Sequence, residues 1–127
     1  MVVRVKKDKD LVATYEDLTP GNIYRVIEVY YGDVRIMSDL GRPWLFPGEL
    51  FEVVSHSIPD DWVIKHREDA GEGEFAFYGC PTAFSEPGFF EDVFDGERKA
   101  LIAFRRRLSK WSRGEDHMWN EVEAKAP

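Results

Sequence analysis

Residues 2–55 read as five short strands at close spacing, set apart by turn signals and one long first loop. "MVVRVKK" sets Val3 and Val5 against Arg4 and Lys6, the two-residue period of a strand with one buried face. "DKDLVATYEDLTPG" reads as a long polar loop closed by a Pro20-Gly21 turn. "NIYRVIEVYY" is rich in β-branched and aromatic residues, with Tyr24 and Val26 assigned to one face and Ile23, Ile27 and Val29 to the other. A tight turn at Gly32-Asp33 leads into "VRIMSD", where Val34 and Ile36 alternate with Arg35 and Met37. "DLGRP" turns the chain into "WLF"; Pro47 and Gly48 interrupt that strand and "ELFEVV" resumes it. Short strands at this spacing predict a barrel or sandwich.

The second half is mixed. In "DDWVIKHREDAGEGEFAFYG", Trp62, Ile64 and His66 alternate with Val63, Lys65 and Arg67 before an acidic turn, which predicts a further hairpin ending in "FAFYG". "CPTAFSEPGFFEDVFDG" predicts a short helix, with Ser85 as cap, Pro87 in the first turn, Glu91 and Asp92 near the start and Gly96 as the stop. Ala100, Leu101, Phe104, Leu108 and Trp111 recur at helical spacing and predict a longer helix over residues 97–113. The tail "GEDHMWNEVEAKAP" reads as a short helix or a frayed end. Residues 57–127 hold too little core to stand alone. The expected architecture is therefore one α+β domain over residues 1–127, a barrel (1–56) with an α/β extension (57–127) packed on it.

With 127 residues, 43% of them hydrophobic, the chain can bury one substantial core. Its net charge of −7 argues against nucleic acid, whose phosphates call for a basic footprint, and suits either simple solubility, the commoner reason, or a basic protein partner. The one cysteine, Cys80, cannot form an internal disulfide. No run approaches the ~18 apolar residues of a membrane span, and "MVVRVKKDKD" lacks the apolar core of a secretion signal. A cytoplasmic protein without membrane contact is expected. Against this acidic background, residues 97–113 carry seven basic side chains and the single acid Glu97, a net +6 that leaves −13 on the rest. Such a helix reads as a basic face complementing the acidic barrel, or as an anion-facing surface.

Catalytic and metal-binding patterns are weak. His56, His66 and His117 are isolated in sequence and Cys80 has no nearby thiol, so no metal site is expected. A Cys80-His66 nucleophilic pair lacks any accompanying oxyanion motif, and Cys80 between Gly79 and Pro81 reads as a small buried residue. "GEGEF" has glycines but acidic neighbours that repel phosphate. The pairs Asp60-Asp61, Glu68-Asp69 and Glu91-Asp92 read as solvated edges or helix-start acids rather than acid/base machinery. Neither a catalytic residue nor a cofactor is expected, and the chain is read as a non-enzyme.

Two resemblances add to this. "LTPGNIYRVIEV" with "VRIMSDLGRPWLFPGELFEVV" resembles the Src-homology-3-like barrels of small bacterial and phage proteins, and implies a five-stranded barrel with one helical turn at Pro47–Leu50. "PDDWV", "GEGEFAFYGCP" and "EPGFFEDVFDGERKALIAFRRRL" resemble small bacterial proteins encoded beside polymorphic toxins. That resemblance implies an immunity protein that binds and neutralises a cognate toxin. The expected partner-binding residues are then Glu68, Asp69, Glu72 and Glu74 of the acidic hairpin, with Asp60, Asp61 and Trp44. The alternative is a peptide-binding adaptor that docks proline-rich ligands on Tyr30, Tyr31, Trp44 and Phe46. Trp44 is expected mainly to close the barrel while staying half exposed.

Overall fold

The structure is a computed structural model and describes residues 1–8, 10 and 13–112. Eight residues of mostly β-branched and aromatic type make β2 (Ile23–Tyr30) long enough to serve three neighbours. On one edge it pairs with β1 (Val2–Val5) and, further along, with β7 (Tyr78–Pro81). On the other edge it pairs with β3 (Asp33–Met37). From these, β3 carries β4 (Pro43–Pro47), β1 carries β5 (Phe51–Ser55) and β7 carries β6 (Trp62–Lys65). All pairings among the described residues are antiparallel. The path runs β4-β3-β2-β1-β5, with β7 and β6 branching from β2.

This is an α+β fold whose sheet is open, where the sequence predicted a closed five-stranded barrel. β4 and β5 do not pair. The break at Pro47-Gly48 forms a 3-10 turn (Gly48–Leu50) that carries the chain away from β4 to the edge of β1.

Within β2 the register shifts. Val26 pairs with Ile36 and Glu28 with the adjacent Arg35, so Ile27 is an extra residue, a β-bulge. Beyond it Val29 rejoins Tyr24 and Val26 in the first core, while Ile27 joins the second core. The sequence reading put Val29 with Ile27; it fails because period-two counting assumes uninterrupted pairing.

The first core fills the inside of the curved sheet. Val3, Val5, Val26, Val34, Ile36 and Phe46 meet Leu50 and Phe51 there, and Trp62 and Phe75 of the second half join them. The second core lies between the sheet and the helices. Ile27 and Cys80 supply the sheet side; Phe84, Phe89, Phe90, Val93, Ala100 and Phe104 supply the helical side. Phe84 is its hub, within 4.9–5.8 Å of the rings of Phe89, Phe90 and Phe104.

Two helices follow the last strand among the described residues: α1 (Phe89–Phe94) and α2 (Arg98–Ser112). Ser85 does not cap α1. Its hydroxyl donates to the Thr82 carbonyl at 2.7 Å and closes the 3-10 turn Thr82–Phe84 instead. Gly88 takes the capping position at φ +82°, so Pro87 lies before the helix rather than in its first turn. Gly96 stops α1 as expected, at φ +77°. The hairpin is also shorter than predicted. β7 begins at Tyr78, and Phe75–Phe77 belong to the preceding loop. Arg113 and the tail reading over residues 114–127 lie outside the described residues. No helix among the described residues is long and apolar enough to cross a membrane.

Candidate functional site

The loop between β6 and β7 is anchored from within and charged without. Phe75 is buried in the first core, and its carbonyl accepts the Gly32 amide at 2.7 Å. The Phe77 carbonyl likewise accepts the Tyr31 amide at 2.9 Å. Gly48 lies against the same point, donating to the Gly32 carbonyl at 2.8 Å. With the backbone held there, Glu68, Asp69, Glu72 and Glu74 all point into solvent. A cleft of about 310 Å³ opens beside them, lined by the acids Glu49, Glu72 and Glu74 and by Phe51 and Phe75. Two basic side chains touch this rim: Arg67 at 3.3 Å from Asp69, and His56 at 3.5 Å from Glu74. Both pairs are exposed, where water and salt screen them. Glu49 was not singled out in the sequence, although an acid directly after a Pro-Gly break is a visible signal of an exposed turn position.

The remaining predicted residues are placed differently. Asp60 is exposed. Asp61 accepts two hydrogen bonds from the buried Arg107, from Nε at 2.6 Å and Nη2 at 3.0 Å. Trp44 is 39% exposed and stacks on Phe94 of α1 at 5.1 Å, so it ties the sheet edge to a helix. Phe46 is buried in the first core. Tyr30 and Tyr31 instead cluster with Tyr78 at 5.5–6.3 Å. The four aromatics of the adaptor reading therefore do not share one groove.

A second concavity, of about 500 Å³, lies between the sheet and the segment leading into α1. The β2 bulge turns Glu28 towards it, opposite Arg35. Arg35 Nε donates to Glu28 Oε1 at 2.9 Å, and Nη1 donates to the Pro43 carbonyl at 2.8 Å. The guanidinium lies 3.9 Å from the centre of the Phe90 ring. Burial raises the Glu28 pKa, and the attraction of Arg35 only partly opposes it. On β7, the Tyr78 hydroxyl and the Cys80 thiol sit 3.2 Å apart. Burial is the main cause that pushes the Cys80 pKa up to about 11, and it raises Tyr78 as well. The thiol is therefore protonated at neutral pH, and its partner is Tyr78. His66 lies exposed, tilted against Phe77.

No known family matches this chain: comparison with family models, curated proteins and solved structures gives no match. Chemistry at the sites must carry any functional reading. Among the described residues no three His, Cys, Asp or Glu side chains gather as metal ligands, and His117 lies outside them. The acidic loop offers an anionic rim anchored at Phe75 and Phe77, which is suited to holding a cationic surface. The second concavity offers a buried ion pair under aromatic walls.

Proposed function

We propose that this chain is an immunity protein, which binds a basic toxin domain through the β6–β7 loop and blocks it without chemistry of its own. The observation that carries the reading is the anionic cleft: Glu49, Glu72 and Glu74 line it, and the exposed Glu68 and Asp69 extend the same loop. Like-signed carboxylates on a loop pinned by Phe75 raise the local concentration of a basic partner and speed its encounter. Pinning also means that little loop entropy is lost on binding. On this reading the strand path β4-β3-β2-β1-β5, with its 3-10 turn before β5, is a Src-homology-3-like barrel left unclosed. That scaffold holds the rim in one shape.

The reading requires a toxin domain encoded by a neighbouring gene, and co-expression with that domain tests it. Growth should be restored and a stoichiometric complex recovered. Replacing Glu68, Asp69, Glu72 and Glu74 together by lysine should abolish both while the fold persists, because all four side chains are exposed and the contacts of Asp69 with Arg67 and of Glu74 with His56 are screened surface pairs. Full protection by the reversed loop would refute the placement, and failure of the unaltered chain to protect would refute the function.

A further inference from the structure

The 500 Å³ concavity on the other face of the sheet has features that the acidic loop lacks. Its floor is the Glu28–Arg35 pair. Glu28 is 5% exposed and uses Oε1 on Arg35, while Oε2 makes no hydrogen bond to any described residue. Its walls are the rings of Tyr30, Tyr78 and Phe89, and its rim carries Glu86, Glu91 and Lys65. A buried ion pair adds little net stability compared with apolar packing, so its place at the bottom of a cleft points to recognition.

Charge decides the occupant. Arg35 is matched by Glu28, which leaves Glu86 and Glu91 against Lys65, a surplus of negative charge around π-faces. Lys65 already places its ammonium 5.9 Å from the Tyr78 ring, so that face accepts a cation. It makes no ion pair among the described residues. A guanidinium is flat, stacks on aromatic rings and donates charge-assisted hydrogen bonds to a carboxylate oxygen, which suits both the walls and the free Oε2 of the floor. We propose that this groove is a socket for an arginine side chain presented by a protein partner, with Glu28 Oε2 receiving the guanidinium and Tyr30, Tyr78 and Phe89 enclosing it. The groove lies apart from the acidic-loop site, and the inference holds whether or not the partner is a toxin.

The probe is Nα-acetyl-arginine N-methylamide, titrated into the isotopically labelled full chain and followed by amide chemical shifts. Saturable shifts are expected at Lys65, Tyr78, Phe89 and Glu91, and neither the uncharged citrulline analogue nor the corresponding glutamate derivative should produce them. Glu86→Gln combined with Glu91→Gln, both exposed, should weaken binding about two- to fivefold, the size of exposed charge interactions. Lys65→Met should tighten it by a similar factor, a gain that damage to the fold would not produce. Equal shifts with citrulline would overturn the proposal. So would binding of the glutamate probe that Lys65→Met weakens, which marks an anion site, or the absence of groove shifts at the highest soluble arginine concentration.

Discussion

Glu28 illustrates how position sets the chemistry of one residue. Its carboxyl is buried opposite Arg35, and burial prevails, so the pKa lies above the ordinary 4.5. Arg35 opposes the shift and Glu91 adds to it, while Tyr78 and Cys80 on the neighbouring strand remain neutral at ordinary pH. The folded protein binds this proton more tightly than the unfolded chain does. The stability that Glu28 contributes is thus complete below the unfolded carboxylate pKa and is lost as pH rises through the folded value. Glu28→Gln removes the titration. Urea unfolding of the two proteins from acid to neutral pH should show the difference in midpoint moving in favour of the variant as pH rises; a constant difference would show that folding does not raise the Glu28 pKa. The signal for this residue was present in the sequence as a lone acid inside the apolar run "RVIEVY", with an arginine in the next strand. The Asp61–Arg107 pair had no such signal, because its members are 46 residues apart.

At the scale of elements, two glycines show which junctions tolerate change. A Cβ on Gly48 would lie 2.5 Å from the Gly32 carbonyl oxygen and 2.6 Å from the Phe75 ring. The first of these is backbone, fixed by the β2–β3 turn and the Gly48 amide. On Gly79 the nearest atoms are side-chain ends, Ile64 Cδ1 at 2.8 Å and Phe77 Cε2 at 2.9 Å, and neither of these residues is fully buried. Gly48→Ala should therefore cost about 1–3 kcal/mol, as overpacking does, and Gly79→Ala less. Thermal unfolding of both variants checks the order, and the reverse order would place the rigid contact at β7. The elements themselves were largely legible. Alternation and turn residues marked β1 to β5, and helical spacing marked the start of α2 to within about a residue. What failed was detail set by neighbours: the bulge at Ile27, the displacement of Ser85 from its capping role, and the late start of β7.

Over the whole molecule, α2 is joined to the sheet region by apolar packing, by the Arg25 guanidinium of β2 over the Trp111 ring at 4.9 Å, and by a charged clasp. Arg107 is 4% exposed on the same helix face as Phe104, and its two hydrogen bonds hold Asp61 immediately before β6. The Asp61 carbonyl in turn accepts from the Thr82 amide and hydroxyl, so a single residue links α2, β6 and the turn after β7. Arg107→Ala should destabilise by about 1.5–3 kcal/mol, the range for hydrogen bonds to charged groups, while the protection that the proposed function requires of the folded fraction should stay intact. Denaturant unfolding measures the first and co-expression the second. Loss of protection at full stability would mean that Asp61 serves the partner directly. The basic character of α2 was evident from composition, yet only the fold separates Arg107, which is used internally, from the exposed Arg105 and Arg106. Strand alternation, turn residues and the apolar stripe of α2 are local properties, determined by residues within a few positions of one another, and the sequence was sufficient for them. The open sheet, the two cores on either side of β2, the clasp and both concavities depend on contacts between distant segments. Those were decided only when burial forced particular side chains together, because which partner a charged or aromatic group meets is a matter of three-dimensional packing rather than spacing along the chain.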